Sequence, residues 1–214
     1  PPDGGSCLTP SPPPWLRAAA MYLQVFFEPK LDLERLRATL DTCGPWSRRN
    51  ALRALNKRTM ATLFEASADA DALTLDDVVP VTEPLVEVIH AGRNSLPLFN
   101  DFQKRFCRPD GDGAGDVLWG YNHTNTSVFT GPGYFVARIE DKELVVDYGS
   151  VPPRKPASWP EILPNSARLG RFVWVGMVDR VRKVSTHVSI GRAWIRGKVT
   201  DNYFALCRED PKTP

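Results

Sequence analysis

The sequence lacks any run of about 20 apolar residues, the length that an α-helix needs to cross a bilayer. Its longest apolar stretch, residues 18–27, is about half that length and is followed directly by Glu28. The net charge is only +2 over 214 residues, so no general positive charge attracts nucleic acid. We therefore expect neither a transmembrane segment nor a nucleic-acid partner.

Cysteine is also scarce, and the four cysteines lie far apart without a C-x-x-C pair: Cys7, Cys43, Cys107 and Cys207. A chain of this length with so few cysteines is not a disulfide scaffold, so free thiols are favoured over disulfides. A cytoplasmic location is favoured. The first residue is Pro1, so we expect a processed or trimmed chain, in which a signal peptide would no longer be visible.

The common catalytic and cofactor motifs are missing. G-x-S-x-G, H-E-x-x-H and the phosphate-binding G-x-x-x-x-G-K-[ST] do not occur. The glycine-rich stretch 109–115 follows a predicted helix and precedes a predicted strand, which is the reverse of a dinucleotide-binding turn. As a calcium loop, it has Ala114 and Tyr121 where acidic ligands are required. We predict neither a cofactor nor a metal ion.

Proline clusters divide the chain. Residues 1–14 are rich in Pro, Gly and Ser and predict a disordered linker. The remainder, 15–210, predicts a single α+β domain that is helical over 15–109 and β-rich over 116–208. Five further prolines lie in 149–170, which predicts a long loop of the kind that covers binding sites.

Helical periodicity dominates the first half. Helices are predicted after Trp15, after the N-cap residue Asp32 and after Ser47. A further helix is predicted from Ser95, because the following apolar residues form one stripe: Leu98, Phe99, Phe102 and Phe106. The helix after Ser47 is strongly basic: Arg48, Arg49, Arg53, Lys57 and Arg58.

The second half alternates with the period of a strand. We predict strand pieces over 116–121 and 127–130, and a hairpin around Asp141-Lys142. A second hairpin turns at Arg196-Gly197. A two-residue turn there pairs Trp194 with Val199, Arg192 with Asp201, Ile190 with Tyr203 and Val188 with Ala205.

The strand predicted over Val184–Trp194 carries a polar face without bulk, which contains His187, Ser185 and Ser189. Such a face either meets solvent or lines a cavity. If it shares a concavity with Asp147, that carboxylate could orient His187 for acid–base chemistry. We therefore take His187 and Asp147 as the candidate catalytic pair. The candidate ligand-binding residues are Trp119, Tyr121, His123, Tyr134, Arg138, Trp174, Arg180, Ser185, Ser189 and Phe204.

Together these patterns predict N-terminal helices packed on a curved antiparallel β-sheet, cone-like or half-barrel in shape, formed by the C-terminal half. A pocket on its concave face, under the loop 149–170, would bind a small, largely apolar molecule such as a lipid. Two alternatives stay open. One is an isomerase, lyase or hydrolase that uses His187 with an acidic partner. The other is an interaction module whose basic helix docks an anionic partner.

Overall fold

The computed structural model describes residues 23–81, 83–96, 100–111, 115–124 and 127–209, apart from the side chain of Val128. The predicted linker 1–14, most of the first predicted helix, and Leu98 and Phe99 of the helix predicted from Ser95 lie outside these residues.

Eight antiparallel strands form a closed barrel, in which each strand pairs with the next and β8 pairs with β1. The strands are β1 (Val88–Asn94), β2 (Asp101–Cys107), β3 (Val117–His123), β4 (Tyr134–Glu140), β5 (Glu143–Asp147), β6 (Met177–Lys183), β7 (Val188–Ile195) and β8 (Lys198–Arg208). The prediction of helices with an antiparallel sheet is confirmed, but the half-barrel is wrong because the sheet closes on itself. Closure removes the exposed strand edges that an open sheet would present.

The barrel closes because β1 and β2 come from the half of the chain that was predicted to be helical. In β2, Phe102, Lys104 and Phe106 point into the barrel, while Gln103 and Arg105 point outward. The helix predicted from Ser95 is therefore wrong over β2. Phe102 and Phe106 are four residues apart, which suits one helix face and also one strand face, and pairing with β1 and β3 decides between them.

Helices precede the barrel in the chain. A helical segment at 23–27 is followed by α1 (Leu33–Thr42), α2 (Pro45–Arg53), α3 (Lys57–Ala66) and the short α4 (Leu75–Val78). Two further single turns, α5 (Ser127–Thr130) and α6 (Gly170–Val173), lie between strands. Asp32 caps α1 as predicted, with its carboxylate accepting from the Arg35 amide at 3.0 Å.

The N-terminal helices cover the outer face of β7 and β8. Leu36, Met60 and Phe64 from the helices form one buried cluster with Ile190 of β7 and Tyr203 of β8. Most outward positions of these two strands are apolar for this reason, and the inward positions include Ser189, Gly191, Phe204 and Leu206. The helical layer and the barrel interior thus use opposite faces of the same strands.

The two hairpins were predicted from short-range signals. The turn at Asp141-Lys142 is confirmed, with Glu140 paired with Glu143 and Ala137 with Val146. At the second hairpin Trp194 pairs with Val199, as predicted.

The other pairs predicted for the second hairpin are wrong, because the register shifts between Arg192 and Trp194. Arg192 pairs with Tyr203, Ile190 with Ala205, and Val188 with Cys207. A bulge places extra residues on one strand, so that every pair beyond it moves.

Two predicted strand segments are also corrected. The strand predicted over Val184–Trp194 begins only at Val188, because Val184 N and Ser185 N both donate to Val188 O and close a tight turn. Ser127–Thr130 is the helical turn α5 instead of a strand. Gly131 N donates to Ser127 O at 2.9 Å, and this local bond closes the turn.

Candidate functional site

The structure does not bring the candidate catalytic pair together. His187 lies in the turn between β6 and β7, while Asp147 ends β5 at the opposite end of the barrel. The Asp147 carboxylate accepts from Gly149 N at 2.7 Å and lies 3.7 Å from Arg138. An enzymatic role for His187 would therefore need a different acidic partner.

Three of the candidate aromatic residues lie on the outer face of the barrel, where Trp119, Tyr121 and Tyr134 form a buried cluster with Trp159. The Trp159 ring lies 4.9 Å from that of Tyr121, and the Tyr134 hydroxyl donates to Pro160 O. The loop containing Trp159 thus covers the outside of β3 and β4. The prediction that this part of the loop roofs the concave face is wrong, because its one buried indole packs outward.

Arg138 and Arg180 also lie on the outer face. Arg138 pairs with Glu140 at 2.6 Å, and Arg180 pairs with Glu143 at 3.1 Å. These are partly exposed pairs, and such pairs contribute little to stability. Among the described residues, we identify no ligand site beside Arg138 or Arg180.

Three candidates do belong to the inner side or the end of the barrel. Ser189 and Phe204 point inward from β7 and β8, and Trp174 covers one end by stacking on Tyr148 with ring centroids 5.3 Å apart. Ser185 is buried in the β6–β7 turn. His123, at the end of β3, is exposed.

The barrel interior contains a polar cluster that sequence reasoning missed. Lys104 Nζ donates to Asp179 Oδ2 at 2.8 Å, to Asn122 Oδ1 at 3.1 Å and to the Tyr148 hydroxyl. Asn122 Nδ2 donates to the same hydroxyl at 2.7 Å, and that hydroxyl donates to Asp179. The four side chains come from β3, β6, β2 and the end of β5, so the cluster ties non-adjacent strands together across the barrel.

Burial controls the protonation of this cluster. Desolvation lowers the pKa of Lys104, and the nearby Asp179 carboxylate opposes that change. Desolvation and Asp179 both raise the pKa of Tyr148, so its hydroxyl stays protonated and can donate. All three ammonium protons of Lys104 already have acceptors, so the cluster satisfies itself.

Aromatic rings surround the Lys104 ammonium within 6 Å, a distance at which the ring faces attract a cation: Phe102, Phe135, Tyr148 and Phe204. Each phenylalanine of this set lies across a glycine on the neighbouring strand. A Cβ atom on Gly191 would lie 2.2 Å from the Phe204 ring. Gly92 and Gly120 accommodate Phe102 and Phe135 in the same way, so the inward glycines make room for the aromatic cage.

The sequence does contain a pattern that indicates a buried position for Lys104. In the order Phe-Gln-Lys-Arg-Phe over residues 102–106, a strand places Lys104 on the same face as two phenylalanines. A lysine on an apolar strand face requires a buried anion. The helical interpretation of this segment hid that requirement.

The opposite end of the barrel is closed by the segment 73–81. Val78 and Val79 belong to the interior cluster, and His90 Nε2 lies 2.9 Å from Val78 O. Desolvation lowers the pKa of His90 to about 4, and the positive charge of Arg208 contributes. His90 is therefore neutral near pH 7, with Nε2 as the donor to Val78.

Outside the barrel, a cleft of about 240 Å³ lies between α2 and the adjacent ends of β1, β2 and β3. We call it the arginine cleft. Its polar lining comprises Arg49, Arg53, Arg93, Asp101, Gln103, His123 and Thr124, and its remaining lining comprises Leu52, Ala91, Gly92, Phe102 and Cys207. Of the candidate residues, it contains His123. The basic helix, one of the open alternatives, contributes Arg49 and Arg53.

The arginines of this cleft are only loosely paired. Asp101 lies 3.5 Å from both Arg53 and Arg93, and Glu209 lies 3.5 Å from Arg49. Charge-assisted hydrogen bonds are normally about 2.7–2.9 Å long. Arg93 Nε is buried and has no hydrogen-bond partner among the described residues. Arg48, by contrast, points into the helical layer and donates to Leu40 O and Cys43 O.

A comparison with protein-family models finds no match, and no curated protein matches the chain. Within the described residues, no helix has the length and apolarity required to span a bilayer. The same residues contain no group of three or more His, Cys, Asp or Glu side chains placed to hold a metal ion.

Proposed function

We propose that this protein binds a small molecule that combines an apolar body with an anionic head group, and that it does so in the arginine cleft. The observation that carries the proposal is that three arginines from α2 and β1 line one cleft: Arg49, Arg53 and Arg93. Guanidinium groups donate charge-assisted hydrogen bonds to carboxylate and phosphate oxygens.

The charge balance of the cleft also supports an anion. Three arginines line the cleft, whereas Asp101 is the one carboxylate among its lining residues. The Asp101 carboxylate lies 3.5 Å from the guanidinium groups of both Arg53 and Arg93. Exposed pairs of this length contribute about 0–1 kcal/mol, so a ligand anion can compete with them. A planar guanidinium can hold a carboxylate through two parallel hydrogen bonds.

The apolar lining residues of the cleft favour a ligand that also has an uncharged, apolar portion. Leu52 lines it from α2, Ala91 from β1 and Cys207 from β8. The volume of about 240 Å³ is slightly below the range of about 300–1,000 Å³ that drug-sized ligands occupy. We therefore expect a short lipid-like acid or a molecule of similar size.

Isothermal titration calorimetry with decanoate, decanol and inorganic phosphate tests the proposal. Decanoate should bind, and decanol, which has the same chain without the charge, should bind at least about tenfold more weakly. Arg93→Gln should weaken decanoate binding by about 10- to 100-fold. The control is Arg138→Gln, which removes a partly exposed arginine from the outer face of β4.

Equal affinity for decanoate and decanol would contradict the proposal, as would decanoate binding that is the same in Arg93→Gln and in the unmodified protein. If phosphate binds and decanoate does not, the cleft is an anion site, and the proposed apolar portion of the ligand is contradicted.

A second candidate function is the binding of a largely apolar ligand inside the barrel, because eight-stranded barrels can hold one small ligand. The observation that favours it is Trp174, whose ring stacks on Tyr148 and covers one end of the barrel. Against it, the interior positions are occupied by buried side chains: Phe106, Leu118, Phe135, Leu144 and Leu206. Trp174→Ala distinguishes the two, because it should change decanol binding if the ligand enters the barrel and leave it unchanged if the arginine cleft is the site.

A further inference from the structure

Exposed apolar side chains are concentrated at the end of the barrel that Trp174 covers. Phe172 is 77% exposed and Phe129 is 66% exposed, and four more exposed apolar residues accompany them: Leu169, Val175, Ile195 and Val199. A contiguous exposed apolar patch marks a protein or membrane interaction site, whereas single scattered apolar residues are normal on a surface.

These side chains belong to three segments that contact one another. Leu169 N donates to Phe129 O, which joins 166–178 to 127–133. Arg196 N donates to Gly176 O at 2.6 Å, which joins the β7–β8 turn to the same segment. The exposed apolar residues are thus neighbours at one end of the fold. We call this region, together with its basic residues, the tip surface.

The charge of the tip surface has one sign. The segments 127–133, 166–178 and 195–200 contain no Asp or Glu, and they contain four basic residues, all exposed: Arg168, Arg171, Arg196 and Lys198. The carboxylates that directly follow two of these segments, Asp179 and Asp201, already pair with Lys104 and Lys57. These three segments therefore contribute positive charge and no carboxylate of their own.

We propose that the tip surface docks on an anionic membrane, with Phe129 and Phe172 entering the boundary of head groups and acyl chains. Aromatic side chains favour that boundary, and each Lys or Arg near an anionic surface adds attraction. A second copy of this chain would present the same four positive charges, and that repulsion makes it the poorer occupant. The inference goes beyond the proposed ligand and does not depend on it.

Vesicle flotation with the full chain tests this inference. The protein should float with mixed phosphatidylcholine–phosphatidylserine vesicles and stay unbound with phosphatidylcholine alone. The double variant Phe129→Ser with Phe172→Ser and the double variant Arg171→Glu with Lys198→Glu should each lower partitioning by at least about tenfold. All four residues are exposed, so the variants should keep the fold, which circular dichroism checks.

Matched controls lie on the helical layer. Trp46→Ser removes an exposed aromatic residue and Arg58→Glu reverses an exposed charge, and neither should alter flotation. The inference is overturned if the tip variants float as well as the unmodified protein, if phosphatidylcholine alone binds equally, or if no vesicle binds. It is also overturned if sedimentation shows a dimer that the aromatic variant dissolves, because a second copy would then cover the tip.

Discussion

Lys104 on β2 and Asp179 on β6 meet inside the barrel, with Nζ 2.8 Å from Oδ2, although their strands are not neighbours in the sheet. Both side chains are at most 5% exposed. Burying such a pair costs free energy, because each ion is removed from water. The attraction between the two charges offsets this cost only when their geometry is good and their remaining hydrogen bonds are made. Here Tyr148 and Asn122 complete the hydrogen bonds.

Asp179→Asn should lower the free energy of unfolding by about 3–5 kcal/mol, because Lys104 would keep a buried charge without its counterion. Replacing both residues by apolar ones, Lys104→Met with Asp179→Leu, should recover much of that loss. Denaturant unfolding measures both effects, with the partly exposed Asp147→Asn as the control. A loss below about 1 kcal/mol for Asp179→Asn would show that the pair is not an essential buried charge pair.

Gly191→Ala should be destabilising even though alanine is small. Its Cβ would lie 2.2 Å from the Phe204 ring, and overpacking of this kind costs about 1–3 kcal/mol. Adding Phe204→Leu should restore part of the loss, whereas Gly115→Ala, which meets no atom within 4 Å, should cost little. Thermal unfolding compares the variants. Equal melting temperatures for Gly191→Ala and Gly115→Ala would contradict the proposed packing.

Stability should depend on pH through His90. Its pKa is about 4 in the folded protein against 6.5 as the ordinary value, so between these limits the unfolded chain binds the extra proton. Stability should therefore fall by roughly 3 kcal/mol from this group as the pH drops from 6.5 towards 4. His90→Gln should remove that part of the pH dependence. Parallel stability–pH curves for the variant and the unmodified protein would contradict this assignment.

Trp159→Ala should destabilise the protein by about 3–5 kcal/mol, because the indole is 3% exposed and packs on Tyr121. Its Nε1 also donates to Glu87 at 2.6 Å, and that bond would be lost. Trp46→Ala, at a residue that is 71% exposed, should change stability by less than about 0.5 kcal/mol. If the two variants unfold alike in denaturant, the loop is a detachable lid and not part of the packed structure.

Short-range signals in the sequence predicted the features that depend on a few neighbouring residues. The Asp141-Lys142 turn and the Trp194–Val199 pair are of this kind. Closure of the barrel could not be predicted in the same way, because it requires β1 to pair with β8 across more than half of the chain. The spacing of Phe102 and Phe106 fits a helix and a strand equally, so only long-range pairing distinguishes them.

The candidate site was missed for a related reason. Arg49 and Arg53 were noticed as part of a basic helix, but Arg93 comes from β1 and Phe102 from β2. Only the folded barrel brings these elements to one cleft. Asp147 and His187 were paired in the prediction because both were placed on polar strand faces, and the antiparallel order of β5, β6 and β7 separates them.

The most direct test of the arginine cleft is an NMR titration of the isotope-labelled protein with decanoate. We predict that the backbone amides of Ala91, Arg93 and Gln103 shift progressively and saturate, and that the shifts are lost in Arg93→Gln. Shifts confined to interior amides such as those of Gly191 and Leu206, or no shifts at all, would contradict the account.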